Sequence, residues 1–352
     1  MNRITFVYGT RPEAIKIKPV LNLLSQPYVI FTGQQKHLGS GFFSVDHDLE
    51  VMTKNQTPNQ LVSKIVKQLE PLLAKENPRV VVVQGDTTSA LAGALCAASM
   101  KIPVAHIEAG LRTYETNPHP EEMNRRIISS LATYHFCPTQ QNMVNLQNEG
   151  VFTNPKVRGA VTGSTSIDAL RTVFIDQAYQ RDLDDKYWNT NLLLFTMHRR
   201  ENIEDISYFT DSIDRFMKGH DDNFLCVWPV HPNPKVQKAS KRFEKSPHWC
   251  LTPPMTHDKL IQTARHSWAI LSDSGGIQEE ITVIKRPLII LRQSTERPEV
   301  LALNYVDLVW PSIEVHLEDW WRRLRSGHFL FSKDSIYSTG AAAKIISVLC
   351  TV

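Results

Sequence analysis

The sequence predicts an α/β protein with two parallel sheets, on three observations from its 352 residues. Short, nearly continuous apolar runs alternate with stretches of helical period. That is the pattern of βα units whose strands are covered on both faces. Polar clusters follow these runs repeatedly. The clusters form two series divided near Gly163-Ser164-Thr165, so two domains of ordinary size (about 100–200 residues each) are expected.

In the first series the expected strands are Ile4–Tyr8, Val80–Val83 and Val104–Ile107, with helices at Glu13–Leu24 and Thr88–Ser99. Val151–Thr162 reads as turn-rich, and a charged helical region runs to about Asn191. The second series has strands at Leu192–Phe195, Leu225–Trp228, Trp268–Leu271 and Leu288–Leu291. The Ala-rich tail, Gly340–Leu349, reads as a last helix. The expected domains are therefore residues 1–163 and 164–335, with a helix at about 336–352 returning to the first.

Composition excludes several classes of function. Lys+Arg number 39 and Asp+Glu 36, a net charge of +3, which leaves no nucleic-acid footprint. No apolar window approaches the roughly 18 residues of a membrane span. The N-terminal apolar run is too short for a signal peptide. Five dispersed cysteines suit reduced thiols and a cytoplasmic location. No CxxC or HExxH spacing occurs, so no metal is expected. No dinucleotide fingerprint, phosphate-binding P-loop or serine-hydrolase elbow is present either, and no cofactor is implied.

In open parallel sheets, ligands bind outside the carboxyl ends of the strands. Seven polar clusters fall at such ends here. They begin at Gly9, Gln84, Glu108, Thr196, Pro229, Ser272 and Arg292. Their division between two sheets suggests carboxyl ends facing each other across a ligand-binding cleft.

The most legible cluster is Asp273-Ser274-Gly275-Gly276-Ile277-Gln278-Glu279-Glu280. It reads either as a phosphate-binding turn at a helix N-terminus or as a capped tight turn. Glu280, about a turn into that helix, could take ribose hydroxyls. Arg11, before Pro12, could fork onto a phosphate or form a surface ion pair. Lys16 reads as a solvated helix residue. Asp86, Glu108 and Glu121 read either as carboxylates sharing acid and base roles or as helix caps and first-turn charges. His198, beside Arg199 and Arg200, is a candidate proton carrier.

These residues together resemble one family. Gly9-Thr10-Arg11-Pro12-Glu13-Ala14-Ile15-Lys16 is similar to the opening motif of the bacterial non-hydrolysing UDP-N-acetylglucosamine 2-epimerases. So are Gly85-Asp86-Thr87-Thr88, His106–Thr113, Pro120–Arg125, His198–Asn202, Asp273–Glu280 and Thr295–Glu299, in order. Hydrolysing relatives usually lack the Arg-Pro-Glu-Ala-Ile-Lys run.

The resemblance implies two Rossmann-like domains facing across a cleft, the GT-B type. It implies reversible conversion of UDP-N-acetylglucosamine to UDP-N-acetylmannosamine, by anti elimination of UDP to 2-acetamidoglucal and syn re-addition, for surface polysaccharide precursors. It also implies a homodimer. By position, Asp86, Glu108, Glu121 and His198 take the catalytic roles. Arg11, Lys16, Ser274, Gly275, Gly276, Glu280 and Arg297 take substrate contacts. Gln34, His37, Arg199 and His231 are candidates for a second, activating UDP-sugar site. There Lys36 departs from the family's arginine and lacks its fork.

Overall fold

The computed structural model describes residues 3–35, 42–53, 55–176, 190–220, 223–327, 331 and 335–351. The chain forms two compact units, Met1–Thr172 with Tyr337–Val352, and Val173–Ile336. Each is a doubly wound parallel sheet.

The first unit contains β1 (Ile4–Tyr8), α1 (Arg11–Leu21), β2 (Tyr28–Phe31), β3 (His47–Asp48), α2 (Pro58–Glu76), β4 (Val80–Gln84), α3 (Thr88–Ser99), β5 (Val104–Ile107), α4 (Glu121–Leu131), β6 (Tyr134–Cys137), α5 (Gln140–Asn148), β7 (Arg158–Val161) and α6 (Thr165–Asp176). Its strand order is β3-β2-β1-β4-β5-β6-β7. The second holds β8 (Asn191–Thr196), α7 (Ile206–Lys218), β9 (Phe224–Pro229), α8 (Pro234–Ser240), β10 (Trp249–Thr252), α9 (His257–His266), β11 (Ala269–Ser272), α10 (Gly275–Ile284), β12 (Leu288–Ile290), β13 (Val306–Leu308) and α11 (Ile313–Arg325), ordered β10-β9-β8-β11-β12-β13. Order reverses between β1 and β4 in one sheet and between β8 and β11 in the other. Such a reversal leaves a crevice at the strands' carboxyl ends.

The two faces of the first sheet sort by alternation. Val7, Val81 and Val83 pack with Ile65, Leu69 and Leu73 of α2 and with α3. Phe6, Tyr8, Val80 and Val82 pack on the other face with Ala14, Ile17 and Val20 of α1. α2 starts at a capping box of Thr57 and Gln60 and buries Leu61, Ile65, Leu69 and Leu73 along one stripe. α3 lies close on the sheet because Gly93 has no side chain. A Cβ there would stand 3.1 Å from Val7 and Val83. The second unit's core is aromatic, around Phe195, Trp228, Phe243 and Trp249.

Six strands arise where no strand was expected, at β2, β3, β6, β7, β10 and β13. The boundary also falls nine residues later than expected, after Thr172 rather than Gly163. The reason is a tie from α6 to the tail. Asp168 accepts Gly340 N (2.8 Å) and Ala342 N (2.7 Å), so it caps α12 (Ala341–Leu349) across 170-odd residues of sequence. Gly163, at φ +94°, leaves room for the Ser338 carbonyl, 2.2 Å from where a Cβ would stand. Ala342, Ile345 and Leu349 then join the α1 face of the core.

The β1 and β4 tips are held together by a buried carboxylate. Glu13 accepts Gly9 N (3.1 Å) and Thr10 Oγ1 (2.8 Å) at Oε2, and Thr87 Oγ1 (2.8 Å) at Oε1. Burial pushes its pKa up to about 7 against these hydrogen bonds and one from the Thr10 backbone. Among the described residues, no helix is long and apolar enough to cross a membrane.

Two predictions follow from these ties. Asp168→Ala should cost about 0.5–2 kcal/mol, the value of a helix cap, with faster amide exchange concentrated in 341–349; unchanged exchange there would contradict the capping role. The folded chain keeps the Glu13 proton above the pH at which the unfolded chain releases it. Stability therefore falls as pH rises from about 4.5 to about 7, by at most about 3 kcal/mol. Glu13→Gln lacks that loss, so its melting temperature should rise relative to the parent protein across this window. A pH-independent difference would refute it. Buried His106, pushed down to about 4, titrates equally in both proteins and cancels.

Candidate active site

The site residues of the first unit gather at the β1/β4 switch and the neighbouring β5 tip. Glu108 follows β5 at φ +69°, a left-handed conformation rare for a residue with a side chain. Its carboxylate is buried and receives Lys16 Nζ at 2.7 Å on both oxygens, with Gln84 Nε2 also donating to Oε2. Lys16 is thus not the solvated residue expected from its helix position.

Asp86 follows β4 in the turn made by Gly85 at φ +70°. The helix-capping alternative fails for it, because Thr87 caps α3 by accepting Ala90 N. Asp86 is instead gripped by α4. Asn124 Nδ2 donates to its backbone carbonyl (2.8 Å), and Arg125 Nε (2.8 Å) and Nη2 (2.7 Å) converge on Oδ2. His106 Nε2 donates to the Gly85 carbonyl at 2.8 Å. Burial first, with Arg112 adding, pushes that imidazole down to about 4, so it stays neutral above that pH. Glu121 is the first residue of α4, half-buried. Arg11 opens α1, with its N–H donating to Gln35 Oε1 (3.0 Å).

In the second unit, His198 follows β8 and Asp273 follows β11, on either side of the other switch. Asp273 is fully buried. It accepts His198 N (3.1 Å), Arg199 N (2.9 Å) and Asn202 Nδ2 (3.1 Å), and lies 3.0 Å from His198 Nδ1. Burial raises its pKa, but His198 and Arg199 outweigh it and hold the carboxyl at about 2. His198 Nδ1–H therefore points at an anion, and Nε2 is the nitrogen left for a ligand.

The two adjacent glycines differ in purpose. A Cβ on Gly275 would stand 2.7 Å from Arg297 Nη1 and 2.9 Å from Glu296 Oε1, so the protein's own ion pairs need that glycine. A Cβ on Gly276 would meet nothing nearer than Ser274 Oγ at 3.8 Å. Its missing side chain is unexplained by the protein's packing and suits a phosphate approaching the backbone. Ser274 precedes α10 without capping it by its side chain, which leaves the helix's first N–H groups to another acceptor.

Arg297 is buried and engaged, Nε to Glu279 Oε1 (2.6 Å) and Nη1 to Glu296. It underlies the glycine turn. Glu280 accepts His257 Nε2 at 2.6 Å through one oxygen. Of the second-site candidates, Gln34 Oε1 accepts Ser89 N (3.0 Å) and Oγ (2.7 Å) at the start of α3. Arg199 Nε donates to the Asp273 carbonyl (3.0 Å), and the His231 ring lies 6.2 Å from that of His198, so both belong with His198. His37 lies outside the described residues. Sequence reasoning missed Asp273, Arg125, Glu13 and Gln84 as members of these clusters. Asp273 stood inside a quoted motif, but nothing there pointed to a partner at 198. No group of His, Cys, Asp and Glu that could hold a metal occurs among the described residues.

The chain is similar to known proteins over most of its length. The family model described as UDP-N-acetylglucosamine 2-epimerase matches residues 25–349. A UDP-N-acetylglucosamine 2-epimerase of Neisseria meningitidis is 36% identical over 98% of both chains. The crystal structure of UDP-GlcNAc 2-epimerase from Neisseria meningitidis bound to UDP-GlcNAc is similar at 34% identity and TM-score 0.90, covering 99% of this chain and 100% of that one. The S. aureus MnaA–UDP co-structure is similar at 32% identity and TM-score 0.92, covering 100% and 96%. The chain, with its two Rossmann-like domains, belongs to the UDP-N-acetylglucosamine 2-epimerase family.

Proposed function

We propose that this isomerase interconverts UDP-N-acetylglucosamine and UDP-N-acetylmannosamine without net hydrolysis, through 2-acetamidoglucal. The observation that carries the reading is a division of labour. Carboxylates with fixed cationic partners, Asp86 and Glu108, stand at the tips of neighbouring strands in one unit. An anion-receiving turn, Ser274-Gly275-Gly276, with His198 beside Asp273, stands at the switch of the other.

The C2–H bond of the sugar is weakly acidic. Its cleavage needs a positioned base and concerted departure of the C1 substituent. In the proposed reaction a carboxylate of the Asp86, Glu108 and Glu121 set takes the C2 proton. The C2–H electron pair forms the C1=C2 bond, and the C1–O bond breaks to release UDP. UDP then re-adds at C1 while a proton is delivered to C2 on the opposite face. Lys16 lies against Glu108 and fixes that carboxylate in place through both oxygens. Arg11, His198 and the α10 N–H groups stabilise charge on the departing diphosphate, while Glu280 takes ribose hydroxyls. The same reading includes a cytoplasmic homodimer that supplies an N-acetylmannosamine donor for surface polysaccharide.

Incubation with UDP-N-acetylglucosamine, followed by proton and phosphorus NMR, tests the reaction. A stable mixture of two UDP-sugars is expected. Free N-acetylmannosamine with stoichiometric UDP would identify a hydrolysing enzyme, and binding without turnover would identify a sensor. Asp86→Asn, Glu108→Gln and His198→Ala should each lower kcat by about 10²–10⁴-fold with circular dichroism unchanged. A near-parental rate in any of them removes that residue from the mechanism. Gly276→Ala should weaken UDP binding about tenfold or more with an unchanged melting temperature, since its Cβ displaces only ligand. Unaltered UDP affinity would contradict the phosphate assignment.

A further inference from the structure

We propose that Arg125 is the positioning residue for Asp86, and that Glu122 anchors Arg125 for that purpose. The inference rests on the epimerase reading of Asp86 and adds to it the groups that aim its carboxylate.

Asp86 sits in a turn that does not itself fix the side chain. The residue before it is glycine in the left-handed region, the residue after it performs the α3 cap, and a quarter of its side chain is exposed. The orientation comes instead from α4. Two consecutive residues of that helix grip Asp86 at two points, Asn124 on the backbone carbonyl and Arg125 on Oδ2. Both guanidinium nitrogens, Nε at 2.8 Å and Nη2 at 2.7 Å, converge on that one oxygen. Oδ1 has no hydrogen-bond partner among the described residues. One oxygen is thus held and the other is presented.

The guanidinium is in turn held from behind. Arg125 Nη1 donates to Glu122 Oε2 at 2.9 Å, and both side chains are almost fully buried. Glu122 also accepts Thr113 N (3.0 Å) and Tyr114 N (3.2 Å) from the loop after β5. One chain of contacts therefore links the loop beyond Glu108, the helix that begins with Glu121, and Asp86. The three carboxylates of the proposed chemistry are set on a common frame, and among the described residues Arg125 is its link to the Asp86 side chain. A lysine cannot replace it. A single ammonium at the end of a flexible stem cannot reach Asp86 from one edge and Glu122 from the other.

Misplacing a reacting group by an ångström costs on the order of 10²-fold in rate. Arg125→Lys should therefore lower kcat by about 10²-fold, with KM and UDP affinity unchanged. The deciding measurement is the double-mutant cycle with Asp86→Asn. If Arg125 acts through Asp86, the double variant turns over no more slowly than Asp86→Asn alone. Glu122→Gln, which retains shape and the arginine, is the second variant should Arg125→Lys fail to fold. Its smaller loss of kcat should likewise vanish in the Asp86→Asn background. Losses that multiply across the cycle, or a near-parental kcat in Arg125→Lys, overturn the inference while leaving the epimerase reading intact. An inactive parent protein overturns that reading and the inference with it.

Discussion

The reversal of strand order at one point in each sheet is the constraint on which the chemistry depends. Between β1 and β4, and again between β8 and β11, successive connections leave the sheet on opposite faces. Such a point leaves a crevice at the carboxyl ends, where polar side chains can stand without displacing core. Several of the candidate site residues stand at these places. Gly9-Thr10-Arg11 and Gln84-Gly85-Asp86 flank the first switch. His198 and Asp273-Ser274-Gly275-Gly276 flank the second.

Charge compensation follows from that placement. A carboxylate brought partly out of water must find a cation or lose its charge. The molecule solves this separately for each of three candidate groups. Lys16 is set against Glu108, Arg125 against Asp86, and Asp273 against His198. Glu13 is the contrasting case. It finds two hydroxyls and the backbone N–H groups of Gly9 and Thr10, and burial pushes it up to about 7. It serves as a tie between strand tips, whereas Asp86 and Glu108 are the carboxylates to which the proposed reaction assigns proton chemistry.

Much of this was legible in the sequence. The small-residue run Thr88–Ser99 forms α3 over the residues expected, and β1 and β5 match their apolar runs. Tyr28–Phe31 escaped notice although it is a short buried apolar run, whereas three of the other missed strands carry weak patterns. Tyr134–Cys137 contains a histidine, Arg158–Val161 begins with an arginine and is mostly exposed, and His47–Asp48 is two exposed residues. Such strands are fixed by their neighbours in the sheet rather than by composition. The site was legible as tips but not as pairs. Asp86 and Glu108 could be placed from topology. Arg125 lies 39 positions from Asp86, and Asp273 lies 75 from His198. No periodicity links such partners. The left-handed backbone of Glu108 likewise leaves no trace in its residue type.

The central claim is that a carboxylate of the first unit, one of Asp86, Glu108 and Glu121, removes the C2 proton of a UDP-sugar. Turnover of UDP-N-acetylglucosamine in deuterated water tests it most directly, with proton NMR and mass read on both the recovered substrate and its epimer. Deuterium at C2 in the UDP-N-acetylmannosamine formed, and progressively in the recovered UDP-N-acetylglucosamine, is the predicted result. Epimerisation with the C2 hydrogen retained would contradict it.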